Sequence, residues 1–285
     1  MPARRSPSAP PLPFPTAPAH PRIRVGIGGW AFAPWRGPFY PSGLVQKREL
    51  EYASRRLTAI EINGTFYGAQ TPATYARWRD ETPPGFVFSL KAPRFLVQAR
   101  ELARGREGVE RFVHGGIAEL DDRLGPILWQ FAPGKRFDPD DLAGFLDLLP
   151  RMLNGRALRH VLEVRHDSFL CEQYLALTRA HDVPTVFTDS PTYPSFADPG
   201  GDFRYARLMR SRSDVVTGYP GDELDAWASR ARTWAAGGVP GDLPRIVPHD
   251  EAPTVARDVF VFFISAAKER NPAAALGLIE RLDRG

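Results

Sequence analysis

The sequence predicts an α/β fold of the TIM-barrel type, a (β/α)8 barrel with an irregular link between its sixth and seventh strands. Eight short apolar runs alternate with segments whose apolar residues recur every three or four positions. Several runs are almost continuously apolar, which is typical of strands buried on both faces of a parallel sheet. The length of 285 residues suits such a barrel. An open doubly wound sheet is the alternative, but no G-x-G-x-x-G motif begins a helix.

The chain begins with a segment that cannot contribute to a core. Residues 1–21 are rich in proline and nearly free of aliphatic residues, which predicts a disordered tail before one domain over 22–285. The tail has no apolar run like that of a signal peptide, and the single cysteine, Cys171, allows no internal disulfide. We therefore expect a cytoplasmic protein. No stretch approaches the ~20 apolar residues of a membrane span, so no membrane partner is expected.

The predicted strands and helices follow one another in order. Strands are expected at 23–30, 58–67, 86–94, 125–131, 159–166, 184–190, 203–210 and 258–265. Helices are expected at 43–55, 72–81, 107–122, 138–151, 168–182, 222–236 and 271–283. Asp138-Pro139 and Asn271-Pro272 each place a capping residue before a proline, which predicts a helix start. Segment 191–202 shows no helical pattern, and irregular segment 237–257 should lie away from the site.

Polar residues end most of these strands, where TIM barrels carry their chemistry. In "AIEINGTFY" (59–67), Glu61 and Asn63 share one face of an otherwise apolar strand. An unpaired carboxylate buried there would cost several kcal/mol, so a partner or a function is expected. The candidate catalytic residues are Glu61, Lys91 and Asp189. The candidate substrate-binding residues are Trp30, Asn63, Tyr67, Gln130, Glu163, Arg165, His166 and Arg207.

Several of these residues also have a structural interpretation. Glu61 could pair with Lys91 or Arg165 as a buried layer of the barrel, and Glu163 could form a network with Arg165 instead of binding a ligand. Lys91 could be a Schiff-base nucleophile, a fixed cation for a carboxylate or phosphate, or a structural ion-pair partner.

His166 falls on the alternate face from Glu163 and could cap a loop instead. A metal site formed by Glu61, Glu163, His166 and Asp189 stays open but is not favoured, because the six histidines form no paired motif. The cofactor is otherwise unknown.

Aromatic residues crowd the predicted barrel mouth. The segment "WAFAPWRGPFYP" (30–41) is too rich in glycine and proline for a regular helix, so it should loop over the mouth. Its rings could stack on a base or sugar, or they could cover the core. The net charge of +4 and pI of about 9.4 show no dedicated nucleic-acid tail, but they do not oppose phosphorylated ligands.

Six motifs in order give the chain a family resemblance. "VGIGGWAFAPWRGPFYP", "EINGTFY", "FSLKAPR", "LGPILWQF", "EVRHDSF" and "TDS" resemble the family called domain of unknown function 72, or YecE-like, from about Arg22 to the C-terminus. The resemblance implies a TIM-barrel-like fold, similar to that of metal-dependent sugar isomerases and abasic-site endonucleases. It implies no catalytic residues, because the family has no established activity.

The chain departs from the usual family pattern at two strand ends. Strand seven commonly ends Arg-Leu-His-Gly and strand eight in asparagines. Here these positions are Arg207, Leu208, Met209 and Arg210, and Phe263, Ile264 and Ser265. The differences remove a potential ligand and amides from the mouth, which makes a metal less favoured.

The sequence therefore predicts a TIM-barrel enzyme for a small polar, anionic or phosphorylated substrate. Glu61 or Asp189 would transfer protons, and Lys91, Arg165 and Arg207 would hold negative charge. The alternatives are a non-catalytic nucleic-acid or nucleotide-binding module and a metal-dependent phosphodiesterase or nuclease. The oligomeric state is not predicted.

Overall fold

The computed structural model describes residues 20–248 and 254–284. Its main sheet has eight strands. They are β1 (Ile23–Gly28), β2 (Ala59–Ile62), β3 (Val87–Lys91), β4 (Leu124–Gln130), β5 (His160–Glu163), β6 (Phe187–Thr188), β7 (Phe203–Leu208) and β8 (Asp258–Phe263). All neighbours pair in parallel, in the order β5-β4-β3-β2-β1-β8-β7-β6. Apart from its last two residues, the tail predicted at 1–21 lies outside the described residues.

The two edges of this sheet meet between β5 and β6. Leu162 N–H donates to the Pro184 carbonyl at 3.0 Å, and Val186 N–H donates to the Leu162 carbonyl at 2.8 Å. Leu162 also pairs with Thr185 in an isolated parallel bridge. These contacts bring the sheet to a nearly complete closure, which confirms the predicted α/β TIM-barrel fold.

Helices occupy the connections between most strands. They are α1 (Glu49–Arg56), α2 (Gly64–Tyr67), α3 (Pro72–Asp80), α4 (Arg94–Val97), α5 (Arg106–Val113), α6 (Pro139–Leu148), α7 (Glu172–Ala180), α8 (Gly221–Ala235) and α9 (Asn271–Asp283). None of the described helices combines the length and the apolar composition that a membrane span requires. As predicted, no helix lies between β6 and β7. The Asp138 side chain caps α6 by accepting from Asp140 N–H and Asp141 N–H.

One predicted helix span and one predicted helix start need correction. The helix predicted over 107–122 is broken, because Gly116 has a φ of 115° and a 3₁₀ segment replaces the helix from Ile117. Asn271 does not cap α9 but is its first residue. Its side chain instead accepts from Ser211 Oγ at 2.9 Å, which ties α9 to the loop after β7.

The strands are shorter than the sequence suggested, most clearly at β2 and β6. Strand β2 ends at Ile62, not at residue 67, because the chain turns at once into α2. Tyr67 is therefore on a helical turn and 76% exposed. Strand β6 has two residues instead of the predicted seven. The strand is short because Pro184 cannot donate a ladder hydrogen bond before it. After it, the chain turns, and Ser190 Oγ accepts from Thr192 N–H.

The barrel interior is apolar below its mouth. A cluster of inward-facing residues fills it: Ala59, Leu128, Val161, Val186, Phe203, Tyr205, Phe260, Phe262 and Ile264. A methyl group at Gly26 would lie 2.0 Å from the Ala59 carbonyl oxygen, so only glycine lets β1 approach β2 here. A larger apolar core lies between the strands and the helices. Polar side chains lie at both ends of this interior: Arg24, Arg159 and Asp258 line a smaller cavity at the amino ends of the strands, and a larger cavity opens at the carboxyl ends.

The link between β6 and β7 packs against the described part of the segment predicted to be irregular. Ala197 N–H donates to the Pro244 carbonyl, and the Asp198 carboxylate accepts from Ile246 N–H and Val247 N–H. Residues 237–248 contribute nothing to the cavity at the carboxyl ends of the strands, and residues 249–253 lie outside the described residues.

Candidate functional site

A cavity of about 820 Å³, here called the mouth cavity, opens at the carboxyl ends of the strands. The lining residues are Gly28, Gly29, Trp30, Ala31, Ile62, Asn63, Gly64, Phe66, Tyr67, Gln70, Trp78, Lys91, Gln98, Gln130, Arg165, Arg207, Ile264, Ser265, Lys268 and Asn271. Six of the predicted binding residues and the predicted catalytic Lys91 are thus brought together. This is the position at which TIM barrels bind their ligands.

The charged residues that line the mouth cavity all have the same sign. They are Lys91, Arg165, Arg207 and Lys268, and no carboxylate is among the lining residues of the described chain. Glu61 and Glu163 lie beneath the floor and are 0% and 1% exposed. The cavity therefore presents cations to a ligand while its acids are buried under them.

Glu61 is bound by two side chains of β7. Its carboxylate accepts from Arg207 Nε and Arg207 Nη2, both at 3.0 Å, and from the Tyr205 hydroxyl at 2.8 Å. The Tyr205 oxygen in turn lies 2.8 Å from Ser89 Oγ, which donates to the Pro126 carbonyl. This chain of bonds fixes the carboxylate across the barrel from β2 to β7.

Glu163 is the second acid beneath the floor. It accepts from Arg165 Nε at 2.7 Å, from Gln130 Nε2 at 3.0 Å and from Arg207 Nη1. Burial by itself would raise the pKa of Glu163, but Arg207 and Arg165 outweigh it and lower the pKa to about 2. The same acids, Glu163 first, raise the pKa of the Arg207 guanidinium against the effect of its burial. Both groups are therefore ionised over the whole neutral range.

Lys91 is a cation without a carboxylate partner among the described residues. Its residue is 8% exposed, and its Nζ lies 3.9 Å from the centre of the Phe66 ring. Helix α2 holds that ring in place, since the Thr65 hydroxyl donates to the Lys91 carbonyl at 2.7 Å. Burial, and next the neighbouring Arg207, lower the pKa of Lys91 to about 8.

Aromatic rings also position the two remaining cations of the lining. The Arg165 guanidinium lies 4.3 Å from the centre of the Tyr193 ring, which belongs to the link between β6 and β7. Lys268 Nζ lies 4.4 Å from the centre of the Phe32 ring in the loop after β1. Burial lowers the pKa of Lys268 as well. Cation–π contacts hold such groups without neutralising them.

The predicted neutral binding residues occupy different parts of the cavity. The amide of Asn63 faces the end of β1, because a methyl group at Gly28 would lie 3.0 Å from Asn63 Nδ2. Trp30 packs edge-on against Trp78, with ring centres 5.2 Å apart, and Tyr67 lies at the exposed rim. Of the other rings in segment 30–41, which was predicted to loop over the mouth, Trp35 is fully buried in the core.

Asp189 and His166 are not brought to the mouth cavity. The Asp189 carboxylate accepts from Met209 N–H and from the Tyr219 hydroxyl, which ties the end of β6 to β7 and the loop beyond it. Burial raises the pKa of Asp189, although the Met209 N–H opposes the rise. His166 Nδ1 accepts from Ser168 N–H at 3.1 Å and so caps the turn after β5.

Among the described residues, no three His, Cys, Asp or Glu side chains are grouped so that they could hold a metal ion. Of the four residues considered for such a site, Glu61 accepts hydrogen bonds from Arg207 and Tyr205, and Glu163 accepts them from Arg207, Arg165 and Gln130. At the positions that depart from the usual family pattern, Ile264 and Ser265 line the cavity, whereas Met209 and Arg210 do not.

Lys268 and Tyr205 are site residues that the sequence reading missed. Tyr205 precedes Arg207 by two residues, so the period of a strand places both on the inner face. Lys268 follows β8 in a loop, and loops at the carboxyl ends of barrel strands are the expected source of ligand contacts. Both signals were available in the sequence.

Comparisons with known proteins agree with this description. Residues 24–285 match the family described as "Protein of unknown function DUF72". The chain is 28% identical over 153 residues to the UPF0759 protein YecE of Escherichia coli K12, a match that covers 53% of this chain and 51% of that protein. The chain thus spans about half the length of the curated relative it matches.

Two solved structures have the same fold. A DUF72 family protein (TM1631) from Thermotoga maritima superposes with a TM-score of 0.71 at 21% identity, covering 92% of this chain and 99% of that one. A DUF72 family protein (EF0366) from Enterococcus faecalis superposes with a TM-score of 0.68 at 16% identity, covering 92% and 95%. At such identities the likeness concerns the fold alone.

Proposed function

Because this chain belongs to the DUF72 family, whose description gives no function, we propose a function from its own site: an enzyme that acts on a small anionic or phosphorylated substrate bound in the mouth cavity. The observation that carries the proposal is the charge of the lining. Four cationic side chains and no carboxylate are among the lining residues described. A cleft lined by charges of one sign attracts and concentrates ligands of the opposite sign.

The ion pairs beneath the cavity floor indicate which of these four cations are already balanced by a carboxylate. The carboxylates of Glu61 and Glu163 are balanced by the guanidinium groups of Arg207 and Arg165, which hydrogen-bond to them. The positive charge that is left over belongs to Lys91 and Lys268, which contact aromatic rings. An anion bound in the cavity would supply a negative partner for these ammonium groups.

Neutral groups would orient the rest of the substrate. Asn63 and Ser265 line the cavity beside the cations. Gln130 uses its Nε2 for Glu163 and keeps its Oε1 as an acceptor for a hydroxyl group. We assign Glu61 to holding Arg207 and not to proton transfer, because three bonds occupy its carboxylate and it is 0% exposed. Lys91 is then the group best placed to take part in chemistry.

Thermal unfolding in the presence of a panel of small anions tests the proposal. Phosphate, sugar phosphates and short carboxylates should raise the Tm in a concentration-dependent way, and their neutral analogues should not. Lys91→Met should raise at least tenfold the anion concentration needed for the same increase in Tm, because it removes a cation from the lining. Lys47→Met changes an exposed lysine that does not line the mouth cavity and should leave the response intact. The proposal fails if no anion raises the Tm, or if both variants respond like the unaltered protein.

The non-catalytic alternative, nucleotide or nucleic-acid binding, is favoured by one observation: the Tyr67 ring is 76% exposed at the rim of the cationic cavity. A base could stack there while its phosphate contacts the lysines. Tyr67→Ala should then weaken binding of a short oligonucleotide, with a steep loss at rising salt, and leave phosphate binding unchanged. Salt-independent or absent oligonucleotide binding would remove this alternative.

A further inference from the structure

We propose that Lys91 forms a reversible imine with its ligand, and that the ligand class is a small carbonyl compound carrying an anionic group, such as an α-keto acid or a ketose phosphate. The anionic half of this description rests on the proposed function. The carbonyl half rests on the surroundings of Lys91.

The first observation is that Lys91 has no carboxylate contact although two carboxylates lie nearby. Arg207 bonds to both Glu61 and Glu163, and Arg165 bonds to Glu163 as well. Lys91 makes no hydrogen bond or ion pair to another side chain of the described residues, and its Nζ lies against the Phe66 ring at 3.9 Å. The Lys91 nitrogen is therefore not bound by a carboxylate and faces the cavity.

The second observation concerns the protonation of this nitrogen. Only an unprotonated amine attacks a carbonyl, and burial is the usual way in which proteins supply one near neutral pH. Burial and the Arg207 charge lower the pKa of Lys91 to about 8. Roughly a tenth of the molecules would then carry the free amine at pH 7.

The third observation is the position of the other cations. Lys91 ends β3 on the cavity floor, whereas Lys268 belongs to the loop after β8 at the mouth. A carbonyl carbon above Lys91 would leave the anionic group of the same molecule beside Arg165, Arg207 or Lys268. A neutral carbonyl compound would have no such anchor, so the cavity selects for the charged ones.

The chemical step balances without a further reactant. The unprotonated Lys91 nitrogen adds its electron pair to the carbonyl carbon as the C=O π bond breaks, and the oxygen takes the proton that the new C–N group gives up, which forms a neutral carbinolamine. The hydroxyl group then takes one proton from solvent, equal to the one that Lys91 released before the attack, and leaves as water as the C=N bond forms. The protonated imine carries the positive charge that Lys91 carried before. Hydrolysis reverses every step. The imine can withdraw electrons from the adjacent carbon, which is the usual reason for such an intermediate.

Reductive trapping tests the inference. The full chain is incubated with pyruvate or dihydroxyacetone phosphate and sodium cyanoborohydride, and the modified residue is identified by peptide mass spectrometry. We expect a single adduct on Lys91 whose rate of formation increases as pH rises through about 8. Hydroxyacetone, a neutral ketone, should need at least a tenfold higher concentration.

Lysine variants provide the controls. Lys91→Arg keeps the charge and should abolish trapping, whereas Lys47→Arg, which changes an exposed lysine outside the mouth cavity, should keep the adduct on Lys91. Should Lys91→Arg fail to fold, peptide mapping of the unaltered chain still decides the matter. Adducts spread equally over Lys47, Lys91 and Lys135, or equal trapping of the neutral ketone, would overturn the inference. If no adduct forms but anions still raise the Tm, the imine is overturned and the proposed function is not. No adduct and no rise in Tm would overturn both proposals.

Discussion

Arg207 is the residue on which the polar network beneath the mouth cavity depends. Its side chain is 3% exposed and bonds to Glu61 and Glu163 at once. A buried ion pair is costly to break because the remaining charge has no solvent to stabilise it. Here the removal of Arg207 would take the cationic partner from Glu61, which is 0% exposed, and would leave Arg165 to balance Glu163, which is 1% exposed.

Arg207→Met should therefore lower the free energy of unfolding by about 3–5 kcal/mol. Chemical denaturation measures the change. Arg111→Met removes an exposed partner of Glu107 from α5 and should cause no measurable change. Adding Glu61→Gln to Arg207→Met should restore part of the loss, since the two residues act on each other. Equal stability of Arg207→Met and the unaltered protein would show that the network does not contribute as described.

Glu163 gives a prediction for acid stability. Its pKa is lowered from 4.5 to about 2 in the folded chain. A carboxylate of this kind stabilises the fold above its unfolded pKa, and the contribution is lost as pH falls through the folded value. The loss should thus occur between about pH 4.5 and pH 2. Glu163→Gln should be less stable at neutral pH and show a flatter decline in this window, as followed by urea midpoints. Glu107→Gln, on the surface, should decline like the unaltered protein.

Single residues show how far sequence reasoning reaches into the site. The positions of Glu61, Glu163 and Arg207 late in their strands predicted a place near the mouth, but only Arg207 lines the mouth cavity, and the two acids lie beneath its floor. The pairing of Glu61 with Arg207 could not be predicted from the sequence, because 146 positions separate the two residues and only barrel closure brings them together. Reading 58–67 as one strand also hid α2, and with it the contact between Phe66 and Lys91.

At the scale of elements, the break after α5 follows from one glycine. Gly116 has a φ of 115°, and a methyl group there would lie 2.8 Å from Pro72 Cγ, at the start of α3. The 3₁₀ segment after it packs on α3. The paired glycines at 115–116 were visible in the sequence, but the apolar spacing on both sides outweighed them in the prediction of one helix.

Gly116→Ala should destabilise the fold by about 1–3 kcal/mol, because it combines backbone strain with a clash. The midpoint of urea unfolding measures the effect. Gly134→Ala is the matched control, since no atom lies within 4 Å of the added methyl group. If the two variants proved equally stable, the break would not depend on the left-handed conformation of Gly116.

At the scale of the whole molecule, the barrel is weakest at the seam between β5 and β6, and β6 pairs with β7 over only two residue pairs. Strand β6 has two residues, and β5 meets it only around Leu162 and Thr185. By contrast, β8 pairs with β1 and β7 over five and six residue pairs. Sheets open first where few hydrogen bonds and contacts hold them. The alternation of strands and helices predicted the barrel but gave no sign of which pair would be the weakest.

Hydrogen exchange should locate this seam. Amides in 184–190 should exchange faster under native conditions than those in 258–263, and Val186 N–H, which bonds across the seam, should be the best protected of the first group. Equal protection in both segments would mean that closure between β5 and β6 is as strong as the other pairings. A ligand in the mouth cavity would contact neither β5 nor β6 directly, so it should slow hydrogen exchange in these strands only modestly.

The direction of the first strand and the last helix also determines how the molecule can be handled. Strand β1 runs towards the mouth, and α9 packs against it and returns to the opposite face. Residue 20 and Arg284 therefore both lie on the face away from the cavity. Attachment to a sensor chip or bead through a side chain on this face would turn the mouth towards the flowing solution, so captured protein would present the mouth cavity to analytes without steric hindrance from the support.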